Sequence, residues 1–130
     1  MRVGRGKFEY AFGLYLNIDG EIAIGKEDVE ILEALEKCGS IAGAAKKLER
    51  SYKFTWNRLI RMTRSLHQPI VYTRRGTTKN AKTKGGGATT LTPVARLLLK
   101  EFKETEQIMR LILSRYEGSS ATSNRWLQRI

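Results

Sequence analysis

The stretch Gly39–Pro69, "GSIAGAAKKLERSYKFTWNRLIRMTRSLHQP", decides the fold. Ser40 is an N-cap residue type, and it opens a short helix that turns Ile41, Ala44, Ala45 and Leu48 inward. The small residues Gly43, Ala44 and Ala45 let another helix approach closely. A two-residue break follows at Glu49–Arg50, and Ser51 offers a second cap. Behind it Thr55, Leu59, Met62 and Leu66 recur at i, i+4, i+7 and i+11, one face of a helix. Lys53, Asn57, Arg61 and Arg64 take the opposite face. Tyr52, Trp56, Ile60 and Thr63 lie on a flank between the two. The helix must stop near His67, because Pro69 disfavours helical geometry in the residue before it.

Upstream, Phe8, Tyr10, Phe12, Leu14, Leu16 and Ile18 alternate at period 2, the spacing of a strand with one buried face. Asp19–Gly20 offers a tight turn, and Ile22 and Ile24 resume the pattern, so a β-hairpin is predicted near 13–18 and 21–24. A helix over about 26–37 follows, with Glu27 and Asp28 in a first turn where the helix dipole favours acids. Its stripe is Val29, Leu32 and Leu35, and Gly39 suits the position just past its end. Cys38, the one cysteine, is expected as a small apolar residue at that helix end.

Downstream, "PIVYT" (69–73) and "ATTL" (88–91) are strand-like, and "RRGTTKNAKTKGGG" (74–87) connects them. Thr92 caps and Pro93 starts the longest helix, over 92–116. There Leu98, Phe102, Thr105, Met109, Ile112 and Tyr116 follow a 4-3-4-3-4 spacing, a coiled-coil-like seam. At 1.5 Å per residue such a helix runs about 36 Å. That length, with Leu97, Ile108 and Leu111 widening the apolar stripe, predicts a dimerisation helix. Residues 118–130 are expected to form a flexible tail.

The 130 residues suit one domain and carry a net charge of +11. The excess is segregated. Residues 1–50 hold 8 Lys/Arg and 9 Asp/Glu, whereas residues 51–100 hold 11 Lys/Arg and no acid. Such a block is the footprint of a polyanion partner. A membrane surface is a poorer fit, since the block has no broad apolar helix face. No run is apolar and long enough to span a bilayer, and the N-terminus carries charges where a signal peptide would be apolar. The expected location is the cytoplasm, on the nucleoid.

Enzymatic readings find little purchase. A phosphate-binding Walker loop needs its lysine after the last glycine and a helix next, but Lys84 precedes the glycines and a strand follows. No nucleophile–base or metal-ligand constellation is present in the sequence, the basic block has no carboxylate for general-base work, and neither a metal nor a cofactor is expected. His67 is read as a surface or capping residue.

Two helices across a tight break, followed by a basic hairpin, compose a winged helix-turn-helix. The expected fold class is α+β, mainly α, with an N-terminal β-hairpin, a winged helix-turn-helix over 1–117 and a long C-terminal helix. "GSIAGAAKKLERSYKFTWNRL" and "GGGATTLTPVARLLL" moreover resemble the N-terminal DNA-binding domain of the molybdate-responsive ModE transcriptional regulators over about residues 14–115. The most specific pieces are Ser51-Tyr52, Trp56, Gly85-Gly86-Gly87-Ala88 and Leu91-Thr92-Pro93. The helix-turn-helix is more distantly similar to that of LysR-type regulators. The resemblance implies a homodimer formed through the long helix and a roughly palindromic double-stranded DNA site. The expectation is a domain without the family's molybdate-binding module, so molybdate sensing is not carried over and no small-molecule effector is evident.

Ser51, Tyr52, Lys53 and Asn57 occupy the first turns of the second helix, which meet base edges in this docking mode. Lys53 can donate to guanine and Asn57 can pair with adenine. Arg58, Arg61 and Arg64 are candidate phosphate clamps, with no acid nearby in sequence to balance them. Arg74, Arg75, Lys79, Lys82 and Lys84 are candidate wing contacts to phosphate or minor groove. Trp56 is expected in the core first. A sequence-specific regulator is the leading reading. An architectural, chromatin-like DNA-binding protein is the alternative, and an RNA-binding or protein-interaction adaptor is a third, since fold does not fix function.

Overall fold

The computed structural model describes residues 2–3, 6–7, 9–75 and 87–118. The elements run β1 (Arg2–Val3), β2 (Gly6–Lys7), β3 (Leu16–Ile18), β4 (Glu21–Ile24), α1 (Lys26–Cys38), α2 (Ile41–Lys47), α3 (Tyr52–Leu66), β5 (Val71–Arg75), β6 (Gly87–Leu91) and α4 (Pro93–Gly118). Among the described residues, each strand pairs only with its sequence neighbour, giving three antiparallel two-stranded ladders. The chain divides into two compact units: Leu14–Phe102, and a second made of Met1–Gly13 with Lys103–Ile130.

In the larger unit, α1, α2 and α3 enclose the core. Val29, Ile31, Leu32 and Leu35 of α1 meet Ile41 and Ala44 of α2 and Leu59 and Met62 of α3. Ala23 and Ile24 of β4 close the core on one side, and Ile70, Leu91, Ala95, Leu99 and Phe102 close it on another. Both caps predicted around the central stretch form. Ser40 Oγ accepts from Gly43 N–H at 2.9 Å, and Ser51 Oγ accepts from Phe54 N–H at 3.0 Å. Gly43 has a reason of its own to be glycine, because a Cβ there would sit 2.8 Å from that capping Ser40 oxygen. Gly39 ends α1 in the left-handed region, φ 70°, and its N–H donates to Leu35 O at 2.8 Å.

The first hairpin turns at Asp19 and Gly20, both at positive φ, as a primed two-residue turn requires. Its first strand is shorter than predicted. It begins at Leu16, because its partner Ile24 is the last residue of β4 before Gly25 caps α1; a bulge between Leu16 and Asn17 shifts the register within the ladder. Phe12 and Leu14 keep the period-2 burial without ladder pairing, so periodicity outlasts the strand. The second hairpin, the wing, begins two residues later than "PIVYT" suggests: Ile70 is fully buried and β5 starts at Val71. Val71 faces Leu91 and Arg75 faces Gly87 at the ends of the ladder.

The wing is fastened to the helices at its base. Thr89 N–H donates to Gly39 O at 2.7 Å, tying β6 to the α1–α2 corner. Thr92 N–H donates to Ile70 O, and its hydroxyl donates to Pro69 O and accepts from Ala95 N–H as the N-cap of α4. One buried threonine thus ends the wing and starts the long helix. In the smaller unit, Arg110 lies over the Phe12 ring at 5.7 Å and pairs with Glu106 across one helical turn. Among the described residues, no helix is long and apolar enough to cross a membrane and no cluster of metal-ligating residues occurs.

Cys38 is the last residue of α1, the helix end expected for it, and it is exposed, since the inward stripe of α1 ends at Leu35. The long helix is a mixed case. Phe102 is buried in the chain's own core and Leu98 packs partly against it, so these two members of the seam serve the domain. Thr105, Ile112 and Tyr116 are exposed and Met109 is half-buried. The tail predicted for 118–130 lies outside the described residues, apart from Gly118 at the end of α4.

Candidate nucleic-acid interface

The α2–α3 corner sets how α3 stands. Leu48 ends α2, Glu49 takes a left-handed conformation at φ 56°, and Arg50 leads into Ser51. Arg50 pairs with Glu27 of α1 at 3.1 Å and lies over the Phe54 ring at 5.1 Å. Arg58 approaches the same ring at 5.8 Å. The start of α3 is therefore braced against the start of α1 by an ion pair and an aromatic ring held between two guanidiniums.

The centre of that brace is Asp28, which is fully buried. Its Oδ2 accepts from Gly25 N–H at 2.9 Å, so it closes the N-terminus of α1 from the third helical position. Its Oδ1 also accepts from Arg58 Nε at 2.9 Å, and its Oδ2 from the Arg61 guanidinium at 2.8 Å. A buried carboxylate is costly unless paired and hydrogen-bonded, and Asp28 is both. This revises two of the candidate phosphate clamps. Arg58 and Arg61 do have a balancing acid, on another helix, and their first partner is Asp28 rather than a free anion. Arg61 Nε is buried without a hydrogen-bond partner.

What α3 leaves to solvent is the complement of that face. Ser51, Tyr52, Lys53, Trp56, Asn57 and Arg64 are all exposed. Lys53, Asn57 and Arg64 share one stripe, and Tyr52 and Trp56 run beside it. Trp56 is not in the core: its position falls outside the Thr55–Leu59–Met62 face that α3 buries. On the wing, Arg74 is exposed, and Arg75 ends β5. Lys79, Lys82 and Lys84 lie outside the described residues. His67 is an exposed C-cap of α3 with φ 54°. The sequence reading missed Asp28. Its one local signal was an acid at the third position of a glycine-capped helix, and its arginine partners lie 30 and 33 residues away.

No family model matches the chain. Over 96 residues it is 32% identical to the molybdenum-pterin-binding protein MopB of Rhodobacter capsulatus, covering 74% of this chain and 33% of that protein. Over 94 residues it is 31% identical to the transcriptional regulator ModE of Haemophilus influenzae, covering 72% of this chain and 34% of that protein. Molybdenum-pterin-binding protein MopA of R. capsulatus is 29% identical over 105 residues, 81% of this chain and 37% of that protein. The chain thus spans about a third of the length of the curated relatives it matches. Among solved structures it is similar to S. aureus MepR in complex with DNA, with a TM-score of 0.50 and 20% identity, covering 82% of this chain and 78% of that one. At that identity the likeness shows the fold: a winged helix.

Proposed function

Because the chain is a homologue of the ModE and Mop proteins, we propose that it is a DNA-binding transcriptional regulator acting on double-stranded DNA as a homodimer in the cytoplasm. The observation that carries the proposal is the exposed, acid-free N-terminal half of α3, with Ser51, Lys53 and Asn57 on a helix braced by α1. In this role α3 enters the major groove. Lys53 and Asn57 meet base edges, the N-terminal N–H groups near Ser51 meet a phosphate, and Arg64 and the wing arginine Arg74 hold the backbone. Relatedness to a protein named a transcriptional regulator, and the winged-helix fold shared with a DNA-bound protein, both support it. The distal half of α4, with Ile108, Leu111 and Ile112 exposed, supports a second copy as its partner.

Selection from a genomic duplex pool, followed by affinity measurement against random duplexes at one physiological salt concentration, tests the reading. Specific binders exceed their non-specific affinity by about 10³ or more. A preference below about tenfold for every selected site would overturn the regulator in favour of an architectural protein that coats DNA. Stronger competition by double-stranded RNA than by DNA would overturn DNA binding itself.

A further inference from the structure

The flank of α3 beside Lys53 and Asn57 carries Tyr52, Trp56 and Ile60 at i, i+4 and i+8. Tyr52 is 52% exposed, Trp56 is 37% exposed and Ile60 is half-buried. Core packing does not account for this stripe, because the face α3 buries is Thr55, Leu59 and Met62. The corner brace does not use it either, since Phe54, Arg58 and Arg61 face α1 from the far side of the helix.

The surroundings of the stripe narrow what it fits. Lys53 and Arg64 flank it, α3 itself carries no acid, and Asp19 and Glu21 lie beside Arg64, at the far end of α3 from Tyr52 and Trp56. A surface with cations around an apolar strip is matched by a partner that is anionic outside and apolar within. The major groove of an A·T-rich duplex has that character: phosphates line both rims, and each thymine presents a C5-methyl group on the floor.

We propose that Tyr52 and Trp56 are specificity-determining residues that read thymine methyl groups in the major groove. The inference rests on the DNA-binding reading above and deepens it. Tyr52 lies in the first turn of α3 and Trp56 one turn further on, so both enter the groove with Lys53 and Asn57. The hydrogen-bonding pair reads guanine and adenine acceptors and donors, and the aromatic pair reads the methyl on the opposite strand of an A·T pair.

Poly(dA-dT) and poly(dA-dU) separate this from every phosphate or minor-groove contact. They carry the same charge and the same minor-groove acceptors, and differ by the major-groove methyl alone. The 130-residue chain is expected to bind poly(dA-dT) at least about fourfold more tightly, the effect of burying one methyl-sized group. Trp56→Ala or Tyr52→Ala should bring the ratio towards one, whereas Trp56→Phe should keep most of it. Arg74→Ala should weaken binding to both polymers alike and leave the ratio unchanged. Both aromatics are exposed, so circular dichroism should match the unaltered chain in every variant. Equal, tight binding of the two polymers would overturn the inference and leave DNA binding standing, as would a preference that survives both alanine variants. Failure to bind either polymer while selected genomic duplexes are bound would overturn the inference alone, and failure to bind any duplex would overturn both readings together.

Discussion

Replacing Asp28 by alanine removes three hydrogen bonds at once: the closure of Gly25 N–H and the bonds from Arg58 and Arg61. Loss of a helix N-terminal cap costs about 1 kcal/mol. Breaking a fully buried ion pair costs about 3–5 kcal/mol, because the partner is left charged without solvent. That range is too high here. The side chains of Arg58 and Arg61 are 26% and 42% exposed, so water recovers part of what they lose. A total of about 2–4 kcal/mol follows, which is a large share of the ~5–15 kcal/mol that holds a typical domain folded. Urea unfolding followed by circular dichroism should show a lower midpoint with an unchanged slope, the mark of a stability change alone. Asp28→Asn should cost less, since one amide oxygen still accepts, but its NH₂ then faces a guanidinium. The double variant Asp28→Ala/Arg58→Ala should lose less than the sum of the two single ones, by at least about 0.5 kcal/mol. A cost below about 0.5 kcal/mol for Asp28→Ala, or strict additivity in the cycle, would refute the claim that Asp28 holds α3 in place.

The same geometry separates bracing arginines from binding arginines. Lys53→Ala, Arg64→Ala and Arg74→Ala should each reduce the salt dependence of DNA affinity by about 0.9 in log K per log salt, while Arg58→Ala should mainly lower stability; a full-sized slope change in Arg58→Ala would return it to phosphate contact. Gly39→Ala should destabilise by about 1 kcal/mol in the same urea assay. Nothing crowds the added methyl, so the cost is that of a left-handed φ of 70°, partly offset by a stiffer unfolded chain. Ile112→Asp or Met109→Asp should halve the mass seen by light scattering and weaken DNA binding, whereas Phe102→Asp should unfold the domain. An unchanged mass in the first two would remove the case for α4 as an interface.

Most of the architecture was legible because it is encoded locally. Ser40, Ser51 and Thr92 each cap the helix that follows them, Gly39 ends α1 by its backbone alone, and Asp19–Gly20 makes a turn within two residues. Such signals need nothing beyond a few neighbours in the chain. The first strand was over-extended because period-2 alternation reports which residues of an extended segment are covered, and Phe12 and Leu14 are each half-buried without ladder partners. The partner of Arg58 and Arg61 was not legible for a related reason. A fifty-residue block without acids predicts a cationic surface only if acids elsewhere stay elsewhere, and α1 brings Asp28 and Glu27 against the start of α3. Counting charges along the chain therefore missed the buried acid that pairs with Arg58 and Arg61.

The long helix shows a limit that periodicity cannot cross. Leu98, Phe102, Thr105, Met109, Ile112 and Tyr116 form one uninterrupted seam in sequence, yet Phe102 is buried in its own core and Ile112 is 43% exposed. Hydrophobic spacing states that a face wants to be covered, and it is silent on what covers it. Helix length supplies the missing term. The helical core of the larger unit is built from elements of 7 to 15 residues, whereas α4 has 26. A helix that long cannot be covered along its whole length by helices that short, and that unit takes in α4 only as far as Phe102. The apolar positions beyond it, Ile108, Leu111 and Ile112, are exposed at i, i+3 and i+4 on one helix face, and contiguous exposed apolar surface marks interaction sites. Covering them with the same stripe of a second copy, as in the homodimer proposed above, would keep the two α3 helices in one particle. That is the arrangement a two-fold DNA site demands.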